Sequence, residues 1–263
     1  MGRGYESAIV EVAIPLPRLL PALSCLALAA CGLGRGSSSG GSLAFDGVDD
    51  YVALDVMPGL PSSGWTVEAW VRPEPGEQQR PNIAALRSPR GGADTFTFRI
   101  RQDFGGVLEL GLASGGDTWG MAGNAPIPLS RWSHVAATWD GATSTMRLFV
   151  DGRLDAERTT SLAPAAGIAP LWLGGDPLHG PTGRPFTGSL TELRIWDHAR
   201  STAQLTQLEG ARLQGDEAGL VLYWPALEGS GAQLTDHGPT GLHGSLGAGQ
   251  PDRAPRWERS SPF

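Results

Sequence analysis

The sequence predicts an all-β fold, a sandwich of two antiparallel sheets. Three observations carry this. Short runs alternating apolar and polar residues recur roughly every 8–14 residues, bounded by Gly, Pro, Asp or Asn. Asp-Gly pairs at 46–47 and 151–152 follow or separate such runs, where a tight turn needs residues that tolerate positive φ. No stretch holds the 3.6-residue apolar period for the length of a long helix. The 263 residues include 9 Trp and are 40% hydrophobic, ample for one core despite 38 Gly and 21 Pro, so disorder is a poor reading.

Residues 19–30 form an apolar run preceded by Arg18. A membrane span needs about 20 residues, so this run suits the core of a secretory signal. Glu6 and Glu11 are unusual ahead of such a core and suggest a start downstream of Met1. The end of the run, Leu28-Ala29-Ala30-Cys31-Gly32, resembles a bacterial lipobox. That resemblance implies a signal over 1–30, cleavage before Cys31 and a lipid on Cys31. The alternative is an ordinary cleaved signal, with Cys31 a free thiol. Gly32 stands where an Asp would favour inner-membrane retention, which points to the outer membrane of a Gram-negative cell. Residues 31–42 then make a lipidated Cys and a Gly/Ser tether. With Cys25 in the signal, the mature domain has neither a disulfide nor a thiolate metal site. Net charge is -7, and the 20 basic residues, all Arg, form no run, which argues against a nucleic-acid partner.

The domain follows over 43–250, with 251–263 read as a tail. Residues 43–54 place Asp46-Gly47 between two short apolar alternations, a hairpin or tight-turn signature. In residues 65–73, Val67, Ala69 and Val71 face one way and Thr66, Glu68 and Trp70 the other. Residues 83–87, 95–101 and 107–113 read as strands; 74–82, 88–94, 114–126 and 174–187 read as loops. Residues 131–141, 146–153 and 171–175 carry further strands and Asp-Gly turns. Residues 186–196 alternate as a half-buried strand around Leu190, Leu193 and Ile195, and 202–208 form a short helix-like turn.

These landmarks resemble those of laminin-G-like domains: Phe45-Asp46-Gly47-Val48-Asp49-Asp50-Tyr51-Val52, Thr66-Val67-Glu68-Ala69-Trp70-Val71-Arg72-Pro73, Trp132-Ser133-His134-Val135, Leu148-Phe149-Val150-Asp151-Gly152, Leu171-Trp172-Leu173-Gly174 and Ile195-Trp196-Asp197. The resemblance covers about residues 43–210 and implies a concanavalin A-like jelly roll. Residues 219–246 are similar to a segment that opens the domain in many relatives. Here it either closes the same sandwich or begins a truncated second copy.

Laminin-G-like and pentraxin-like folds often hold calcium, and Asp46 and Asp49 are the candidate ligands; the competing reading is a turn whose carboxylates cap their own backbone. A pentraxin-type site needs an acidic run after the Trp-Leu-Gly strand, and Gly175-Asp176-Pro177 offers one carboxylate. The fold also hosts glucanases, but their Glu-x-Asp-x-x-Glu motif is absent. Glu68 and Glu192 therefore read as structural, at a sheet edge or loop mouth, rather than as the close carboxylate pair of a retaining glycosidase. The five His are scattered, and no Gly-x-Ser-x-Gly elbow supports a triad. Trp70, Trp132, Trp139, Trp172 and Trp196 read as core, while Trp119 in a Gly-rich loop is the candidate ligand contact.

The expectation is an exported, lipid-anchored, non-catalytic binding module at the cell envelope, with a glycan or a protein surface as partner. The alternatives are a glycoside hydrolase relative and a structural accessory module.

Overall fold

The structure is a computed structural model that describes residues 41–87, 95–114, 117–177 and 183–263. In chain order the strands are β1 (Ser42–Asp46), β2 (Val52–Met57), β3 (Gly64–Pro73), β4 (Asn82–Leu86), β5 (Phe96–Arg101), β6 (Val107–Ser114) and β7 (Asp117–Pro126). Then come β8 (Ser133–Asp140), β9 (Thr145–Val150), β10 (Arg153–Thr159), β11 (Ala169–Leu173) and β12 (Thr187–Trp196). The one α-helix among the described residues, α1 (Thr202–Glu209), precedes β13 (Leu220–Trp224), β14 (Gln233–Leu234), β15 (Gly244–Leu246) and β16 (Arg256–Glu258).

The strands form two antiparallel sheets. The first runs β10-β9-β8-β3-β12-β1-β16, with β13 also on β12; the second runs β14-β15-β2-β11-β4-β5-β6-β7. Their inner faces share one core, in which Trp65, Val67, Phe96, Phe98, Trp139 and Leu171 are almost fully buried. Burying both inner faces is what holds such a sandwich together, because each sheet alone would leave an apolar face in water. Where β7 meets β10, Asp155 closes one seam: its carboxylate accepts the backbone N–H groups of Asn124 and Ala125. Gly123 leaves room for that carboxylate: a Cβ there would lie 2.0 Å from Asp155 Oδ2 and push it aside.

Several elements differ from expectation. Asp46-Gly47 is no hairpin: β1 pairs with β12 and β16 in one sheet, β2 with β11 and β15 in the other, so the turn crosses the sandwich. Asp151-Gly152 is a hairpin, with φ of 45° and 68° joining β9 to β10. The expected 114–126 loop is mostly strand β7, an edge strand whose ladder needs only backbone groups and so tolerates Gly120 and Gly123. Within the expected tail, Arg256–Glu258 extends the first sheet. Residues 220–246 add β13 to the first sheet and the β14–β15 pair to the second.

Strand β12 is buried on both faces rather than half-buried. Its apolar spacing, Leu190 to Leu193 to Ile195, slips by one residue at a bulge between Thr191 and Arg194. Glu192 takes up the slip at a φ of 54°. The second face is covered by the chain from 197 to 219, where Leu205 packs with Ala136 and Phe149, and Leu213 with Trp196 and Tyr223. Ser201 and Gln204 close a capping box at the start of α1.

Candidate functional site

The outer face of the first sheet carries a polar network shut away from solvent. Glu68, fully buried on β3, accepts hydrogen bonds from Trp196 Nε1 at 2.7 Å and Arg200 Nη1 at 2.6 Å and lies 3.0 Å from His134 Nε2. Burial alone would push its carboxyl up. The His134 hydrogen bond and charge, with Arg194 and Arg200, outweigh burial and hold it down at about 2. Glu192 is likewise buried, and its Oε2 accepts from Arg194 Nη2 at 2.9 Å and from the Tyr223 hydroxyl at 2.7 Å. The two glutamates therefore lie beneath the 197–219 layer, not at an edge or a loop mouth. Trp196, His134, Arg194 and Tyr223 reach them from strands of the same sheet, while Arg200 on Glu68, Arg212 on Glu192 and the Arg194 bond to Ala211 C=O tie the layer to that sheet, and neither glutamate faces solvent.

The second sheet presents a different outer face. Tyr51, Ala53 and Trp172 form an apolar cluster separate from the main core, so Trp172 faces outward rather than into the core as expected. Ala53 and Ala85 flank Trp172 in the ladder, and Tyr51 meets its ring edge-on at 5.7 Å. Its indole Nε1 is buried without a hydrogen-bond partner among the described residues. Trp139 and Trp196 are buried as expected, whereas Trp70 and Trp132 are half-buried. Trp70 meets Phe263 edge-on, and Trp132 donates to Ser260, so the chain end packs on that face of the first sheet.

Beside Ala53 the outer face opens into a trough with about 350 Å³ of free space, lined by Asp55, Val56, His243, Ser245 and Ala248. Ser245 stands directly opposite Ala53, so the floor is made of small side chains. Asp55 is exposed and makes no hydrogen bond or ion pair among the described residues. His243 Nδ1 accepts the Asp236 backbone N–H at 3.0 Å, which leaves Nε2 as an outward donor in the neutral ring. An acceptor, a donor and a hydroxyl around an apolar floor suit a polyol. Nothing in the spacing of 243–245 relative to 53–55 could have signalled this, because the two segments meet only through the β2–β15 pairing.

At one end of the same sheet the turn after β1 gathers Asp46, Asp49 and Asp50, with carboxylate oxygens within 4.8 Å of one another. Asp46 Oδ1 caps Val48 N–H and Asp50 Oδ2 accepts Asp46 N–H, so part of the cluster serves the turn. Burial, with Asp46 and Asp49 alongside, pushes the Asp50 carboxyl up to about 6 despite its backbone hydrogen bond. Hard oxygen donors under mutual repulsion fit a divalent cation, with Arg253, 3.5 Å from Asp49, as the competing charge. Sequence reasoning grouped Asp46, Asp49 and Asp50 as an acidic cluster and named Asp46 and Asp49 as ligands; the turn folds the Asp50 carboxylate back beside them. Trp119 stands on β7 opposite Leu112, not in a loop, and its side chain lies outside the described residues. Cys31 and residues 1–40 also lie outside them. No helix among the described residues is long and apolar enough to cross a membrane.

The described residues thus form a two-sheet antiparallel sandwich whose first sheet has its outer face covered by the chain from 197 to 219. The family model described as the concanavalin A-like lectin/glucanases superfamily, of laminin-G type, matches residues 46–206, and the chain belongs to this superfamily. It is 30% identical over 157 residues to the human adhesion G protein-coupled receptor D2, covering 55% of this chain and 16% of the receptor. It is 31% identical over 100 residues to the sushi, von Willebrand factor type A, EGF and pentraxin domain-containing protein 1 of Rattus norvegicus, covering 36% of this chain and 3% of that one. The chain thus spans a small part of these curated relatives.

Among solved structures, a candidate carbohydrate binding protein from Bacteroides ovatus superposes with a TM-score of 0.61 at 22% identity, over 83% of this chain and 59% of that one. The SAP-like pentraxin of Limulus polyphemus gives 0.52 at 19% identity, over 64% and 81%. The CBM40 of the Ruminococcus gnavus IT-sialidase, bound to α2,3-sialyllactose, gives 0.51 at 17% identity, over 64% and 96%. At these identities the likeness is one of fold.

Proposed function

We propose that the protein is an exported, lipid-anchored, non-catalytic binding module of lectin type, holding a glycan at the cell envelope. The observation that carries the reading is the trough between β2 and β15, where Asp55, His243 and Ser245 surround the small floor of Ala53. A sugar ring offers hydroxyls to such groups and an apolar face to such a floor. The solved structures of similar shape whose names include carbohydrate binding are consistent with it. Asp46, Asp49 and Asp50 would hold calcium beside Tyr51, where the ion would neutralise the turn. Cys31 would carry the lipid, with residues 32–42 as tether.

Glycan-array binding by the purified full chain, in calcium and again in chelator, tests the reading. Binding that falls at least tenfold on Asp55→Ala and His243→Ala supports it. Binding that needs calcium adds the acidic turn to the site, and binding that survives the chelator leaves the trough alone. No glycan bound under either condition overturns the lectin reading in favour of a protein ligand.

A further inference from the structure

Strand β2 carries a bulge at the wall of the trough. Leu54 pairs with Leu171 and Met57 with Ala169, so Asp55 and Val56 together stand against Pro170 alone. Leu54 and Met57 belong to the core, and the bulge turns both intervening side chains outward. Asp55 is exposed, and Val56 leaves 59% of its surface to solvent. A single exposed valine is ordinary on a protein surface. This one lines a concavity of about 350 Å³ and is the immediate neighbour of an exposed carboxylate that lines it too.

The opposite wall is set by Asp236. Its Oδ1 accepts the Tyr223 and Gly238 backbone N–H groups, and its Oδ2 accepts the Leu242 N–H and the Thr240 hydroxyl. Its own N–H donates to His243 Nδ1 at 3.0 Å. This turn fixes the imidazole: Nδ1 is spent as an acceptor, so Nε2 of the neutral ring is a donor only. Asp55, when ionised, is an acceptor only. His243 precedes Ser245 by two residues as Asp55 follows Ala53 by two, so the antiparallel Ala53–Ser245 register sets His243 across from Asp55, and both line the trough. A fixed donor therefore faces a fixed acceptor, with an apolar group beside the acceptor. Two sugar hydroxyls, or one secondary amide, meet such a donor and acceptor. Val56 decides between them, because hydroxyls leave it in water whereas the methyl of an acetamido group covers it.

We propose that the trough selects a sugar carrying an acetamido group: the amide N–H goes to the Asp55 carboxylate, the amide oxygen takes the His243 Nε2–H, and the methyl lies on Val56. The sugar ring then rests on Ala53 beside Ser245. Because the Asp236 turn holds the donor in place before the ligand arrives, little ordering remains for binding to pay. The inference rests on the glycan reading above and names the substituent that the sugar bears.

The test is titration of the full chain with three oligosaccharides of equal length on one β1,4-glucan backbone: a chito-oligosaccharide, its de-N-acetylated form and a cello-oligosaccharide. They place an acetamido group, an ammonium and a hydroxyl at the same carbon. Wild type should bind the acetylated probe at least about fivefold more tightly than either of the others. Val56→Ser should bring the ratio of acetylated to hydroxyl probe to within about twofold of one, and Val56→Thr, which keeps the shape and the β propensity, should lower it part of the way. Leu154→Ser, also at an exposed aliphatic but on β10 of the other sheet, should leave the ratio as in wild type. The ratio is read within each variant, so a general loss of folded protein does not imitate the effect. Tighter binding of the de-N-acetylated probe would mean that Asp55 takes an ammonium, and it overturns the inference. So does equal affinity for all three probes, or an acetamido preference that persists in both Val56 variants; each leaves the glycan reading standing. No binding of the three probes overturns the inference alone if the glycan array finds other sugars, and overturns both readings if it finds none.

Discussion

Replacing Glu68 by Gln keeps the shape of the side chain and removes its charge, so it isolates what the buried network contributes. In the native protein the carboxylate accepts from Trp196 and Arg200 and pairs with His134. Holding the carboxyl at about 2 rather than at its ordinary 4.5 corresponds to roughly 3 kcal/mol of folding free energy. The same change leaves Arg200, only 4% exposed in its side chain, without its counter-charge. Losing one member of a buried pair costs about 3–5 kcal/mol, so the two routes agree. Burial pulls the Arg200 guanidinium below its usual range, but it stays charged throughout acid titration, so the pH window belongs to Glu68. A depressed carboxyl stabilises the fold above the unfolded pKa and ceases to do so as pH falls through the folded one. The contribution is therefore whole above about 4.5 and lost on the way down to about 2. Thermal melts of wild type and Glu68→Gln at pH 7 should differ by on the order of 10 °C, and the gap should narrow as the pH approaches 3. A difference below about 1 kcal/mol at pH 7, or a gap that ignores acidification, would refute the assignment of Glu68 as the anchor of the 197–219 layer.

Three further outcomes follow from the same structure. Gly174→Ala should destabilise by more than about 3 kcal/mol, because its φ is 77° and a Cβ would lie 2.0 Å from the Phe45 ring; an unchanged urea midpoint would show that β1 and β11 can part there. Millimolar calcium should raise the melting temperature of wild type by a few degrees and of Asp49→Asn/Asp50→Asn hardly at all, and equal rises in both proteins would place any calcium elsewhere. Metabolic labelling with a fatty-acid analogue should mark wild type in bacterial cells and not Cys31→Ser, and equal labelling of both would remove the anchor.

The sequence by itself determined the fold class and most of the strands. Both depend on local signals: two-residue alternation, as along Val67, Ala69 and Val71, and turn chemistry, as at Asp151-Gly152. The bulge in β12 was missed, because the three-residue step from Leu190 to Leu193 was read as plain alternation and acquires its meaning only in the pairing with β3. The acidic turn was legible because its carboxylates lie within five residues of one another. What tertiary structure alone decided is which faces remain open. Trp172 and Trp139 sit on strands of similar composition, yet one points out beside Ala53 and the other into the core, because alternation names two faces without naming the covered one. Glu68 became an interior anchor because residues more than a hundred positions away, Trp196 and Arg200, close over it. The trough joins β2 to β15, segments about 190 positions apart that meet only in the ladder. Such relations are distances between remote segments, and a chain folded around a single shared core sets them only when both sheets have met.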